Sequence, residues 1–356
     1  MEKLKKSAGS FLVPLLSILL AFIIGGIIMA ALGADPFAAV KHLFQGAFGS
    51  KANIGTTLSK ATPLMFTALC ACFAYKCGVF NLGGEGQFLM GSIAAFLTAY
   101  FTGATGFFGI LLALLAGALA GGLWGLIPGV LKITRGQNEM IISIMLNYVA
   151  TLFMGVLYTS WIRDESVPQT PAVSELVRIP RVMEGMRFTW AFVLAVAVGL
   201  LMYYALFWTS GGFKLRAVGY NMTASRFNGI PVRRYILASF IISGAIAGLG
   251  GGAELLGTQF RLINGFGAGY GFDGVAMALI GQLHPIATMI VALFFAVLRV
   301  GSTTMQAATG VPTSVSDIIQ ALVIVFSVAG MALTKLPEFE AWHSRLFHKR
   351  KEGDGK

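Results

Sequence analysis

The chain has 356 residues, 56% of them hydrophobic and only 12% charged, with 45 glycines and a net charge of +11. An ordinary soluble domain carries roughly 25% charged residues. Here apolar runs of about twenty residues, enough to cross ~30 Å of hydrocarbon, recur along the chain. A soluble fold is therefore excluded. The positive charge is read as the Lys and Arg excess of inner membrane loops, not as a nucleic-acid surface.

Lys3, Lys5 and Lys6 precede a first apolar run at 11–32. That order resembles a signal peptide, but the apolar core is longer than the usual 7–15 residues and more runs follow, so an uncleaved first span is expected. The stretch 35–61 is amphipathic and reads as too polar to cross. Further spans are expected at about 62–80, 85–101, 107–131 and 139–161. A proline-containing polar loop, 163–187, separates these from spans at 188–210 and 235–256, with a basic island at 211–234 between the two. After a Gly-rich loop, 272–283 is apolar but short. His284-Pro285 then interrupts the chain, because proline lacks a backbone N–H and disfavours helix in the residue before it. A full-length run continues to about 305, and a last span covers 315–334.

Charge sets the count. The tail carries Lys335, Arg345, Lys349, Arg350, Lys351 and Lys356, which places it on the cytoplasmic side. An inner tail and an inner N-terminus require two crossings between 272 and 305. The expected fold is therefore an all-α polytopic membrane protein of about ten spans. Its parts are a basic N-terminus at 1–10, a transmembrane domain at 11–334 and a basic cytoplasmic tail at 335–356. Glu85-Gly86 and Asp273-Gly274 both open apolar runs, an echo that suggests two five-span halves as inverted repeats. Gly117, Gly121, Gly125 and Gly129, and likewise Gly244, Gly248 and Gly252, recur every four residues, which brings helix backbones close together in lipid.

Little in the chain supports catalysis. Gly269-Tyr270-Gly271-Phe272-Asp273-Gly274 fits G-x-G-x-x-G in form, but a dinucleotide site needs a strand before it, and here the flanks are membrane runs. The one Gly-Lys pair is Gly355-Lys356, so no phosphate-binding P-loop is present and no ATP chemistry is expected of this chain. His42, His284, His343 and His348 are scattered. Cys70, Cys72 and Cys77 lie in one apolar run with no second ligand cluster, so they read as packing residues and no metal is expected.

Intramembrane polar groups carry more information, since burying them in lipid is costly. Glu85, Gln87, Asn147, Glu254, Gln259, Asp273, Gln282, Arg299, Asp317 and Gln320 lie in or beside spans. They face a pathway for a hydroxylated solute, or they bond helix to helix. Asn81, Glu85, Gln87, Asn147, Asp273 and Gln282 are the pathway candidates. In the basic island, Lys214, Arg216, Arg226, Arg233 and Arg234 fix the inner side. Asn221 to Asn228 is expected to form a short surface helix closed by Gly229 and Pro231, with Ala224 and Ser225 exposed for close docking.

Four stretches carry a resemblance. Thr223-Ala224-Ser225-Arg226-Phe227-Asn228-Gly229 resembles the E-A-A-x-x-x-G loop of ABC importer permeases, with Thr for the leading acid and Ser for the second Ala. Gly78-Val79-Phe80-Asn81-Leu82-Gly83-Gly84-Glu85-Gly86-Gln87 resembles N-I-G-x-E-G-Q. Residues 137–148, from Gln137-Asn138-Glu139 to Leu146-Asn147-Tyr148, resemble N-E-V-I-x-T-I-M-L-N-Y, and Gly269 to Gly281 resembles G-x-G-F-D-G-I-A-x-A-L-L-G. The first is general to ABC importer permeases, the second resembles those of the branched-chain amino acid, simple sugar and nucleoside group, and the last two resemble its nucleoside/simple-sugar branch. The resemblance covers about 35–335 with the motifs in the family's order.

The resemblance implies a non-enzymatic membrane subunit. Its partners would be a cytoplasmic ABC ATPase that binds the ATP, a second permease, expected to be a different chain, and an extracytoplasmic binding lipoprotein. It assigns 223–229 to ATPase coupling and is nearest to nucleoside uptake, with simple sugar and riboflavin permeases sharing the signatures. The residues alone also admit an ion-coupled secondary carrier. A membrane-embedded enzyme would need a nucleophile–base pair or a metal cluster, and the sequence offers neither.

Overall fold

Polar punctuation sets where the helices begin and end. The computed structural model describes residues 2–164, 167–183 and 185–333, with side chains from residue 15 to residue 330. The helices are α1 (Glu2–Ala31), α2 (Pro36–Phe48), α3 (Lys51–Lys76), α4 (Gly84–Phe101), α5 (Gly106–Arg135), α6 (Glu139–Val156) and α7 (Trp190–Trp208). They continue as α8 (Ser210–Tyr220), α9 (Met222–Phe227), α10 (Val232–Glu254), α11 (Tyr270–Ile280), α12 (Pro285–Thr309) and α13 (Ser314–Leu333). π-helical turns, Leu157–Trp161 and Leu255–Gln259, extend α6 and α10. Among the described residues no strand forms, and the tail 335–356 lies outside them.

Six helical stretches are long and apolar enough to cross a membrane: Lys51–Lys76, Gly106–Arg135, Glu139–Trp161, Trp190–Trp208, Val232–Gln259 and Pro285–Thr309. Leu15–Ala31 and α2, bent by 117°, make a seventh if they count as one crossing. The chain is therefore an all-helical, multi-pass membrane protein. Each of the other expected spans is also a helix. However, α4 opens on the polar run Gly84-Glu85-Gly86-Gln87, α11 has only 11 residues, and the apolar part of α13 is short.

One expectation needs correction. The stretch 35–61 is not one amphipathic segment lying off the membrane, because 51–61 form the first turns of α3. Ser50 starts that helix by accepting a hydrogen bond from the Asn53 N–H at 3.1 Å, as an N-cap does. Thr56 and Thr57 then donate to the carbonyls of Ala52 and Asn53 at 2.9 and 3.0 Å. Their hydroxyls are satisfied inside the helix, so residues that look too polar in the sequence still fit a span. The chain divides into one compact unit of 1–43 with 301–356 and another of 44–300. The two chain ends fall in one unit and the middle of the chain in the other.

In the larger unit, α10 is the central helix, packed against α3, α4 and α5. A Cβ on Gly121 would run into the Gly244 carbonyl and the Gly248 backbone, and one on Gly248 would run into the Gly117 carbonyl. Gly91 of α4 meets Gly248 as well. The four-residue glycine spacing thus forms a backbone-to-backbone crossing of α4, α5 and α10, as expected for helix association without a hydrophobic driving force. In the smaller unit, Gly25 of α1 makes room for Ile319 of α13, and Gly301 of α12 for the Leu43 backbone of α2.

Candidate functional site

The break between α3 and α4 is non-helical chain inside a membrane protein, so its backbone groups need partners from the protein itself. Asn81 and Gln87, each 1% exposed, form a reciprocal amide pair. Asn81 Nδ2 donates to Gln87 Oε1 at 3.0 Å, and Gln87 Nε2 donates to Asn81 Oδ1 at 3.1 Å. Asn81 Nδ2 also donates to Ser243 Oγ of α10 at 2.9 Å, and its Oδ1 accepts the Gly83 N–H at 3.0 Å. From α6, Asn147 Oδ1 accepts the Gly86 N–H at 2.8 Å, and its Nδ2 donates to the Leu82 carbonyl at 2.9 Å. Glu139, at the start of α6, is ion-paired with Lys132 of α5 and accepts from the Phe80 N–H at 3.5 Å.

The third motif reaches the same place from the other side. Gly84 and Gly271 approach each other, and a Cβ on Gly271 would strike the Glu85 backbone. Glu85 Oε2 accepts the Gly269 N–H at 3.2 Å, just ahead of α11. The N-terminal ends of α4 and α11 therefore meet, and both carry the positive end of a helix dipole. Glu85 and Asp273 lie in the first turns of these two helices, where a carboxylate offsets that charge. Asp273 is ion-paired with Arg299 of α12, whose guanidinium lies 5.6 Å from the Tyr270 ring centroid. Gln282 is placed apart, beyond the opposite end of α11. There Gln282 and Leu283 adopt φ of 54° and 55° in the turn before Pro285.

Three separate sequence motifs, 78–87, 137–148 and 269–281, are thus assembled around the first turn of α4. Asn81, Glu85, Gln87, Asn147 and Asp273 are brought together there. Sequence reasoning passed over Ser243, because a single serine in an apolar run carries no pattern, and it noted Arg299 without its partner. Among the described residues no three His, Cys, Asp or Glu side chains gather as a metal site.

The framing role of Asn147 has a measurable consequence. Asn147→Leu is expected to strand the Gly86 N–H and the Leu82 carbonyl, at about 1–3 kcal/mol for each buried group left without a partner. The thermal unfolding temperature in detergent should fall accordingly. An unchanged midpoint would show that these bonds do not hold the break.

At the far end of α10 lies α9, a single capped turn and a half. Asn221 Oδ1 accepts the Ala224 N–H at 2.9 Å. Gly229 closes the helix at φ 74°, a conformation that glycine adopts without strain, and Ile230 N–H reaches back to the Ser225 carbonyl at 3.0 Å. Thr223, Ala224, Arg226, Phe227, Asn228 and Gly229 are exposed, but Ser225 is 4% exposed and faces inward. The expected exposure of Ser225 is thus not met, because its position on the helical turn points it at the packing beneath α9. Two large aromatics, Tyr220 and Phe227, stand 88% and 86% exposed beside this turn.

Broken helices meeting among long apolar helices define a multi-pass membrane protein, and comparison with known families gives its class as a permease. Residues 53–328 match the family described as branched-chain amino acid transport system / permease component, and the chain belongs to it. It is 34% identical over 334 residues to the guanosine ABC transporter permease protein NupP of Bacillus subtilis, covering 92% of this chain and 96% of that one. It is 33% identical to the nucleoside ABC transporter permease protein NupB of Lactococcus lactis, over 88% of this chain and 90% of that one. The glucose ABC transporter permease protein TsgB13 of Haloferax volcanii is also 33% identical, over 88% of this chain and 86% of that one.

Proposed function

We propose that this chain is the permease subunit of an ATP-driven importer for a nucleoside-like solute, with α9 as the contact for a separate cytoplasmic ATPase. The observation that carries the reading is the likeness, along nearly the whole chain, to permeases described for guanosine and for nucleosides. In this reading the chain crosses the membrane about ten times, with both ends and the 211–234 loop on the cytoplasmic side. A second permease completes the pathway, and an extracytoplasmic binding protein delivers the solute.

The mechanism uses the connection between α9 and α10. Only residues 228–231 separate the two helices, and Ile230 and Gly229 tie the connection back onto α9. A push on α9 is carried into α10, which packs on α4 and α5 through backbone contacts that cannot compress and on α3 through the Phe66 side chain. α10 also holds Ser243, so the push reaches the first turn of α4. There Glu85 and Asp273 stand at two helix N-termini, the discontinuous-helix arrangement that transporters place beside their solutes. Asn81, Gln87 and Asn147 frame that point, and Gln282 belongs to the hinge between α11 and α12.

Removing residues 224–229 tests the coupling. The shortened chain is expected to insert in the membrane, to recover no ATPase on purification and to take up no solute. Uptake that persists would refute the assignment of α9. Uptake that survives ATP depletion but collapses with the ion gradient would instead identify a self-contained carrier. The likeness to a glucose permease supports sugar uptake as a second reading. Competition of labelled guanosine uptake by unlabelled glucose, ribose or riboflavin separates these substrates.

A further inference from the structure

Three side chains at one end of the larger unit gather around a single aromatic ring with no acid among them. Lys76 ends α3, Arg216 lies in α8, and Phe207 is in the last turn of α7. Lys76 Nζ is 5.7 Å and Arg216 Cζ 4.8 Å from the Phe207 ring centroid. The His284 ring, from the turn before α12, is 5.4 Å from Phe207 and 5.3 Å from Tyr203. The helix ends are locked together here, since a Cβ on Gly219 of α8 would strike the Lys76 carbonyl.

Neither Lys76 nor Arg216 takes part in an ion pair among the described residues, and Arg216 Nε is buried without a hydrogen-bond partner. Both residues are half-buried, so part of each remains accessible to a small group. Arg216 also lines a groove of about 670 Å³ with Lys214, Phe213, Tyr220 and Asn221, and no acidic residue lines it. Two cations on one ring lie within roughly a Debye length of each other, about 10 Å. The ring faces attract each of them, but their mutual repulsion stays uncompensated until an anion enters. A guanidinium fork beside an ammonium suits the tetrahedral oxygens of phosphate. The cluster sits at the C-terminal ends of α3 and α7 and just ahead of α12, three helices long and apolar enough to cross a membrane.

We propose that Lys76, Arg216 and His284 form a binding site for one phosphate group, supplied by the headgroup of an anionic phospholipid or by free phosphate. The test uses the full chain in nanodiscs. Labelling of Lys76 by an amine-reactive reagent is compared in phosphatidylcholine, in phosphatidylglycerol, and in phosphatidylcholine with inorganic phosphate added. Slower labelling in phosphatidylglycerol assigns the site to the headgroup, slower labelling with inorganic phosphate assigns it to the free ion, and no slowing in either arm overturns the proposal.

In a second measurement, Lys76→Gln/Arg216→Gln is expected to retain phosphatidylglycerol through detergent washing roughly tenfold less than the unaltered chain, two charge-assisted contacts being lost. Arg233→Gln/Arg234→Gln removes the same charge outside the cleft and should retain the lipid normally. Equal loss in both double variants would mean general surface attraction and would also overturn the site. The labelling arm needs no substitution, so a variant that fails to fold does not block the test.

Discussion

On the coupling role proposed for α9, Phe227→Ala is expected to detach the ATPase while leaving the permease folded and inserted. Phe227 is 86% exposed on α9 and so contributes almost nothing to packing within this chain. A large aromatic left bare beside a capped helix is the kind of group that dominates an interface once a partner covers it. Truncation of such an anchor costs about 2–4 kcal/mol, or roughly 30- to 700-fold in affinity. Recovery of the ATPase on purification through the permease, measured with and without the substitution, checks the prediction. An unchanged yield of ATPase, with uptake intact, would remove α9 from the contact. Tyr220→Ala, beside the same helix, should act in the same direction.

Gly248→Leu is expected to damage the fold itself. Ordinary overpacking of a core costs about 1–3 kcal/mol, because side chains can shift to make room. At Gly248 the obstructing atoms are the Gly117 carbonyl and the backbone of Gly121, so relief requires α5 and α10 to separate. The cost should reach about 3 kcal/mol or more, and little monodisperse protein should survive in detergent. Gly155→Ala in α6 is the matched control. Its nearest foreign atom is the Tyr158 hydroxyl at 4.0 Å, and alanine is the better helix former by about 1 kcal/mol. Gly155→Ala should therefore be neutral or slightly stabilising. Equal midpoints for the two variants would show that the glycine crossing does not hold the bundle.

The helices at 107–131, 139–161, 188–210 and 235–256 were legible because apolar length alone specifies them; the structure lengthens the first and last by a few residues, keeps the second as Glu139–Trp161 and shortens the third to Trp190–Trp208. The start of α3 was not legible. Hydropathy charges Ser50, Thr56 and Thr57 the full cost of polar groups, whereas the helix satisfies their oxygens locally. The break at His284-Pro285 was legible from covalent geometry, since proline limits its neighbours wherever it stands. The inward turn of Ser225 follows from helical period and the packing beneath α9, neither of which the motif Thr223 to Gly229 displays.

The candidate site divides the same way. Its parts could be named in the sequence because each motif mixes glycine and amide or acid side chains inside an otherwise apolar run. Their assembly could not. Asn81 bonds Ser243 across 162 positions of sequence, and Glu85 meets Gly269 across 184. No local pattern encodes contacts of that separation.

What the sequence determined by itself was the solvent, the helices and the family-like motifs, because these depend on composition and on residues close together along the chain. Only the tertiary structure decided that three motifs meet at the first turn of α4, that glycines close α5 on α10, and that Lys76 and Arg216 share one ring. Those facts depend on how helices pack. In a membrane, packing is set by close approach and hydrogen bonding between distant segments, not by the apolar character that every span shares.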